Sequence, residues 1–598
     1  MKTLRHIIVV ASLLFASFPL MAQWTGSVDA AFGYGWMRGQ DGDDDPALKH
    51  GLGEGGARIT YSSTKFQWNL NVRGSYEDRT SDSYRVSFSG ISREDIPLTL
   101  DAISQFSDNG KGIGVIRSDL RWTPAAGRTY EAWFQYGFQI DDATHTTFKE
   151  GIDIEDSDID EIDRIDLYLE VAKTIDQRGM AGIRAARQLD GPKKVLYWDL
   201  SFDDNYKDRH SEWLNMDASS DNINGGIYRL TPRTDTRTLS GIVHFTDSIR
   251  IRRPAKLMID PGLRIISNQS LDHNRGATLI DMDKNEWRDS TRLREDFNFL
   301  ALTVEPYLAA NMTWDRFQVH VDYAPQMYSR RLTDDTHKQR LKLRPPHPVG
   351  NGFISWNVSP SHRLTLRNRL EVRHPDYIQI CWYERQGAYM NQIYRGKEKL
   401  RSIGIHTYSL DHEFRYRRFL ATTGLAYVRR TNEIDQTFTN EMIEGREYQV
   451  FTWVNASRSH STSISEQLGW RSERLNANVG ITYNGTRRTS SETGETRLST
   501  DWKAWADASL SLPHGWTMGA NVNYRSDVAT FFTIFKQYCT LNARIQKRFG
   551  KVIVFIQGRD LLDNKIEREY TSADFNEMWV ETTRNNRRIV MLGMQWGF

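Results

Sequence analysis

Two runs of carboxylates and one run of cations are the densest concentrations of reactive side chains in this 598-residue sequence. DGDDDP at 41–46 and DIEDSDIDEID at 153–163 offer hard oxygen ligands of the kind that hold Ca²⁺. Neither has the glycine-punctuated spacing of a calcium loop, so both read as solvated loops facing a polar exterior. HKQRLKLRPPHP at 337–348 carries the charge to bind lipopolysaccharide phosphates or anionic glycans, with plain solvation as the alternative. Pro345, Pro346 and Pro348 stiffen it.

Catalytic spacing is absent. There is no His-Glu-x-x-His, no Gly-x-Ser-x-Gly, no phosphate-cradling glycine loop and no cysteine pair at zinc spacing. The histidines are scattered, and His244 and His406 read as lumen or interface residues rather than ligands. No catalytic residue, cofactor or metal site is assigned, and the chain is not expected to be an enzyme. Lys+Arg 78 against Asp+Glu 76 leaves a formal charge of +2, too small a field to gather nucleic acid. Cys381 and Cys539 are too few for a disulfide framework. An exported compartment permits one bridge, but their spacing does not place the thiols together.

The elements that must present these residues are strands. In the terminal IVMLGMQWGF, Val590, Leu592, Met594, Trp596 and Phe598 alternate with Met591, Gly593, Gln595 and Gly597. One face is apolar throughout and the other, Met591 apart, small or polar. No charge or proline blunts the strand, which leaves the inner strand of a sandwich or the closing strand of a membrane barrel. At the other end, Lys2, Arg5 and His6 precede an apolar run from Ile7 to Leu20 and the small-residue site at Ala22. That is the layout of a signal peptide spanning residues 1–22. At about 14 residues the run is too short to cross a hydrocarbon core of ~30 Å as a helix. No cysteine follows the cleavage point, so a lipoprotein is not expected.

Composition favours the barrel. Mean hydropathy is −0.60 although aromatics reach 12%. A closed barrel needs apolar residues only at alternate positions and places Trp and Tyr at both interfaces. Alternation recurs along the chain, with tight turns and long polar loops taking turns as connections. About 22 strands are expected, as a single all-β domain over residues 23–598: a transmembrane antiparallel up-and-down β-barrel with short periplasmic turns, long extracellular loops and periplasmic termini. Tight turns join 113–123 to 130–140, 297–313 to 317–328, 353–358 to 364–372, 403–416 to 419–428, 498–512 to 516–524 and 538–549 to 552–557. Within 177–233 the expectation is one strand, somewhere between 183 and 205.

RIQKRFGKVIVFIQGRDLLDNK and RRIVMLGMQWGF resemble the closing hairpin and last strand of the outer-membrane β-barrel family that forms the barrel half of TonB-dependent receptors. RLEVRHPDYIQI and GLAYVRRTNEI are similar to that family's neighbourhoods around 373–377 and 432–434, and the likeness covers about residues 364–598. IYRGKEKLRS stands where the family has a Gly-Asn-Pro turn, so that outer loop has diverged. The resemblance implies a plug ahead of the barrel. Strand patterning here starts at Trp24, leaving no room for one, so fold and membrane are carried over and energised transport is not.

Strands ~4.8 Å apart and tilted ~40° would enclose a lumen on the order of 25 to 30 Å across. Such a bore calls for inward-folding loops or a separate plug or periplasmic partner, and the candidate loops are 78–112, 141–163, 272–293 and 375–401. The last strand also resembles the signal read by the barrel-assembly machinery, carried by Trp596 and Phe598; lipid contact alone is the other reading. The expected surroundings are outer-membrane lipid and lipopolysaccharide. The expected function is a receptor-like or channel-like barrel that binds or moves a solute. The alternative is a non-transporting anchor or scaffold whose loops bind a partner protein or glycan.

Overall fold

The computed structural model describes residues 24–598 apart from 39–43, 90–98, 154–163, 190–193, 220–221, 253–254, 282–285, 334–337, 343–346, 382–383, 387–391, 444–445, 492–493, 530–532, 563–565, 573–576 and 586–587. The signal-peptide expectation at 1–22 lies outside the described residues. Twenty-two of the 29 strands form one closed antiparallel wall. The remaining strands, among them Lys338–Lys342 and Gln392–Arg395, lie on the long-loop side. Closure is made by Trp24–Arg38 against Ile589–Gly597, in register from Ser27↔Gly597 to Tyr34↔Val590. A closed sheet has no unpaired edge, which is why it is one of two ways for backbone to cross lipid.

Side chains obey one parity around the whole wall. Phe32, Phe134, Leu200, Leu308, Ile354, Leu410, Ile481 and Leu592 point outward and are exposed. The alternate set carries the polar groups. The short-turn end is set by local chemistry. Asp315, Arg417 and Gly550 take left-handed backbone in two-residue turns. In the serine turns, the amides of Phe66 and Leu475 donate to the hydroxyls of Ser63 and Ser472.

The strands run far beyond the alternating stretches. Phe66–Ser89 pairs with Thr99–Ala125 up to Ser89↔Thr99, and Asn222–Arg252 is 31 residues long. Three expected inward loops, 78–112, 141–163 and 272–293, are therefore corrected: their described parts continue as paired strands. Past the lipid both faces are wet, so hydrophobic alternation stops while backbone partnering does not. For 177–233 the expected single strand is found as Lys194–Ser219, and only the bounds are corrected. Arg164–Gln188 absorbs Ile183, and the next strands are Lys194–Ser219 and Asn222–Arg252.

One rung of the wall is built from proline. Pairing of Glu286–Trp314 with Phe317–Thr333 runs to Val304↔Met327 and resumes at Leu308↔Tyr323, so Pro306 and Pro325 face each other in the gap. Pro325 pairs in turn with Pro348. Proline has no N–H, so this rung lacks ladder bonds that any other residue would supply. Leu302 above it and Leu308 below are exposed on the outer face, which places the break within the apolar band.

Candidate functional site

The inner face is a ladder of cross-strand ion pairs. Arg178 binds Asp203, Arg184 binds Asp199, Arg367 binds Asp411 and Arg559 binds Glu54. His244, on the same inner face, hydrogen-bonds Asp260 at 2.8 Å and stacks on Tyr197, so it is a lumen residue as its isolation suggested. Near the closing seam a recess of about 530 Å³ opens between Asp29, Glu54, Arg73 and Arg559. Its floor is Phe555, which lies in the space left by Gly593, with the Arg544 guanidinium 3.9 Å from the ring centroid.

The fourth expected inward loop does fold inward. Residues 374–402 connect Arg373 and Ile403, which are themselves register partners. Ile380, Cys381 and Leu400 from this segment form one buried cluster with Phe297, Phe299 and Ala301 of the wall, joined by Tyr328 and Leu332. These wall residues have inward parity. The segment thus covers the inside of the wall beside the proline rung. Its strand Gln392–Arg395 then adds in parallel to Gln449–Thr452. Gly396 passes so close to the Cys381 backbone that a Cβ there would collide with it, which fits the divergent IYRGKEKLRS.

Both ends of the segment are tied by the stretches that carried the family resemblance. His374 stacks on Tyr328 with ring centroids 3.9 Å apart. Arg264 and Gln326 donate to the two oxygens of Glu305, at 3.0 and 2.7 Å. The Gln326 carbonyl oxygen therefore faces His374, whose Nε2–H donates to it at 2.7 Å, leaving Nδ1 to accept from Ser402 Oγ at 2.9 Å. Burial pushes the His374 imidazole down to about 4, with His347 and Arg330 adding to the effect. It is neutral at physiological pH, as the network requires. At the far end Asn432, in left-handed backbone, donates to Ser402 O, and Asn455 bonds the Arg401 backbone in both directions.

Trp596 and Phe598 sit outward at the short-turn end of the last strand, rings 5.6 Å apart. Cys381 lies buried in the segment's cluster, and Cys539 stands on the wall opposite Tyr524. The side chains of the acidic stretches at 41–46 and 153–163, and most of those at 337–348, lie outside the described residues. Glu305, Gln326, Tyr328, Arg330 and His374 were not singled out in the sequence. The signal that was available is proline inside an otherwise strand-like pattern, in VEPYL and YAPQM.

The model of the Outer membrane protein beta-barrel family matches residues 187–596. The chain belongs to that family. As a family member it is an integral barrel of the outer membrane. Its fold is similar to that of ferric citrate transporter FecA in the unliganded form, with a TM-score of 0.61 and 11% identity over 97% of this chain and 79% of that one. The siderophore receptor PiuA from Acinetobacter baumannii gives 0.61 and 10% identity over 96% and 82%. The copper transporter OprC gives 0.58 and 11% over 97% and 81%. At such identities the likeness shows the barrel fold of this family member and nothing finer. No curated protein matches the chain in sequence.

Proposed function

We propose that the barrel is receptor-like or channel-like and binds or moves a solute across the outer membrane through its lumen, without acting as an enzyme. The observation that carries this reading is the inward segment 374–402. It narrows an ion-lined bore by burying apolar side chains against the inner wall. Similar folds in ferric citrate, siderophore and copper proteins support it. In this reading the termini and short turns face the periplasm and the long hairpins face outward. The segment takes the place of a plug, alone or together with a separate periplasmic chain. Trp596 and Phe598 are read by the barrel-assembly machinery, and lipopolysaccharide surrounds the outer rim.

A second reading is a surface anchor. Strands as long as the 31 residues of Asn222–Arg252 hold paired ribbons well beyond the lipid, a form suited to displaying a partner-binding surface. Planar-bilayer recording of the purified protein separates the two. Because Arg373 and Ile403 are already paired, residues 375–401 can be replaced by a short turn. Steady conductance that rises in this variant is the expected result. A silent wild-type protein whose hairpins capture a partner would favour the anchor.

A further inference from the structure

We propose that Arg330 is the cationic centre of a buried oxyanion site between the wall and segment 374–402, taking a small carboxylate or phosphate group. Arg330 is 3% exposed and has inward parity on Phe317–Thr333. None of its three guanidinium nitrogens has a partner at hydrogen-bond geometry; the Tyr328 phenol approaches it more loosely. Among the described residues, the Tyr328 phenol acts on it and it acts in turn on the His374 imidazole, and no carboxylate acts on it. The carboxylate of the adjoining network is already committed, since Arg264 and Gln326 take both oxygens of Glu305. His374 is committed as well, to Gln326 and Ser402.

An arginine cannot shed its proton to escape burial, so an unpaired guanidinium in this position is strongly disfavoured unless an anion completes it. Its planar fork of donors matches the paired oxygens of a carboxylate or phosphate. Its register partner on the next strand is the small Ala301, itself buried. Ile380, Cys381 and Leu400 close the site from the lumen side and limit the occupant to a small group. An occupant there would fasten the segment to the wall. The inference does not rest on transport: a barrel serving only as an anchor would hold the anion equally.

The test is thermal unfolding of the full-length barrel in detergent, followed by the loss of heat-modifiable mobility. Inorganic phosphate or acetate is titrated against chloride at constant ionic strength. The wild type is expected to show a saturable rise in unfolding temperature, and Arg330→Gln none; whichever anion acts identifies the phosphate or carboxylate class. Arg330→Met is expected to unfold at a higher temperature than the wild type when neither oxyanion is present, because it removes the buried charge. Absence of any oxyanion effect on the wild type would overturn the proposal. So would equal shifts in wild type and Arg330→Gln, or an Arg330→Met variant less stable than wild type without oxyanion. Since the readout is stability, a silent bilayer recording leaves the proposal standing.

Discussion

Phe598 and Gly26 complete the cylinder by exchanging both backbone hydrogen bonds. The Phe598 amide donates to Gly26 O at 3.0 Å and the Gly26 amide donates to Phe598 O at 3.2 Å. The Phe598 ring lies where a Cβ on Gly26 would stand. Any side chain at position 26 must expel the ring or part the strands. Gly26→Val is therefore expected to lower the fraction of heat-modifiable, membrane-inserted barrel. Deleting Phe598, which removes ring and backbone pair together, should lower it further. Normal insertion of both variants, read by gel mobility after membrane extraction, would contradict a role for this pair in closure or assembly.

The facing prolines 306 and 325 make a soft point in the wall. Pro306→Val with Pro325→Val would supply two backbone donors, each bond worth about 1 kcal/mol net. Slower amide exchange over 300–308 and 323–331 and a higher unfolding temperature are expected. Exchange at the wild-type rate would mean that the gap in the ladder has another cause.

Acid should loosen segment 374–402. His374 titrates near pH 6.5 in the unfolded chain and near 4 in the folded one, where burial is the main cause. Between those values the unfolded state holds the extra proton, so stability falls as pH falls from 6.5 towards 4 and is unaffected above 6.5. Protonation also obliges Nδ1 to donate where it now accepts from Ser402. Amide exchange across 374–402 is expected to quicken between pH 6.5 and 4.5 while the strands on either side stay protected. A flat pH profile for the segment would exclude this role for His374.

The wall was legible in the sequence because lipid demands apolar residues at every second position. Val590, Leu592 and Met594 reveal their strand without any tertiary information, and Trp24, Val28 and Phe32 reveal the one beside it. Strand length was not legible. Thr80, Asp82 and Tyr84 read as loop because no apolar alternation runs through them, yet they pair with Asp108, Phe106 and Ser104. The candidate site was hidden for a different reason. Glu305, Gln326 and His374 belong to two strands and a connection, and only register plus the folding-in of 374–402 brings them together. The family-like stretches around 373–377 and 432–434 marked the ends of that connection, but their task as its clamps follows from the contacts of His374 and Asn432 with Ser402.

The wall is oily outward and wet inward, and the last strand closes it. Spin labels placed singly at 590, 592, 594, 595 and 596, in a background with Cys381 and Cys539 replaced and the barrel reconstituted in lipid, test this most directly. Collision with oxygen should peak at 590, 592, 594 and 596, and collision with a water-soluble nickel chelate should be higher at 595. Uniform accessibility along the strand, or the opposite phase, would contradict the account.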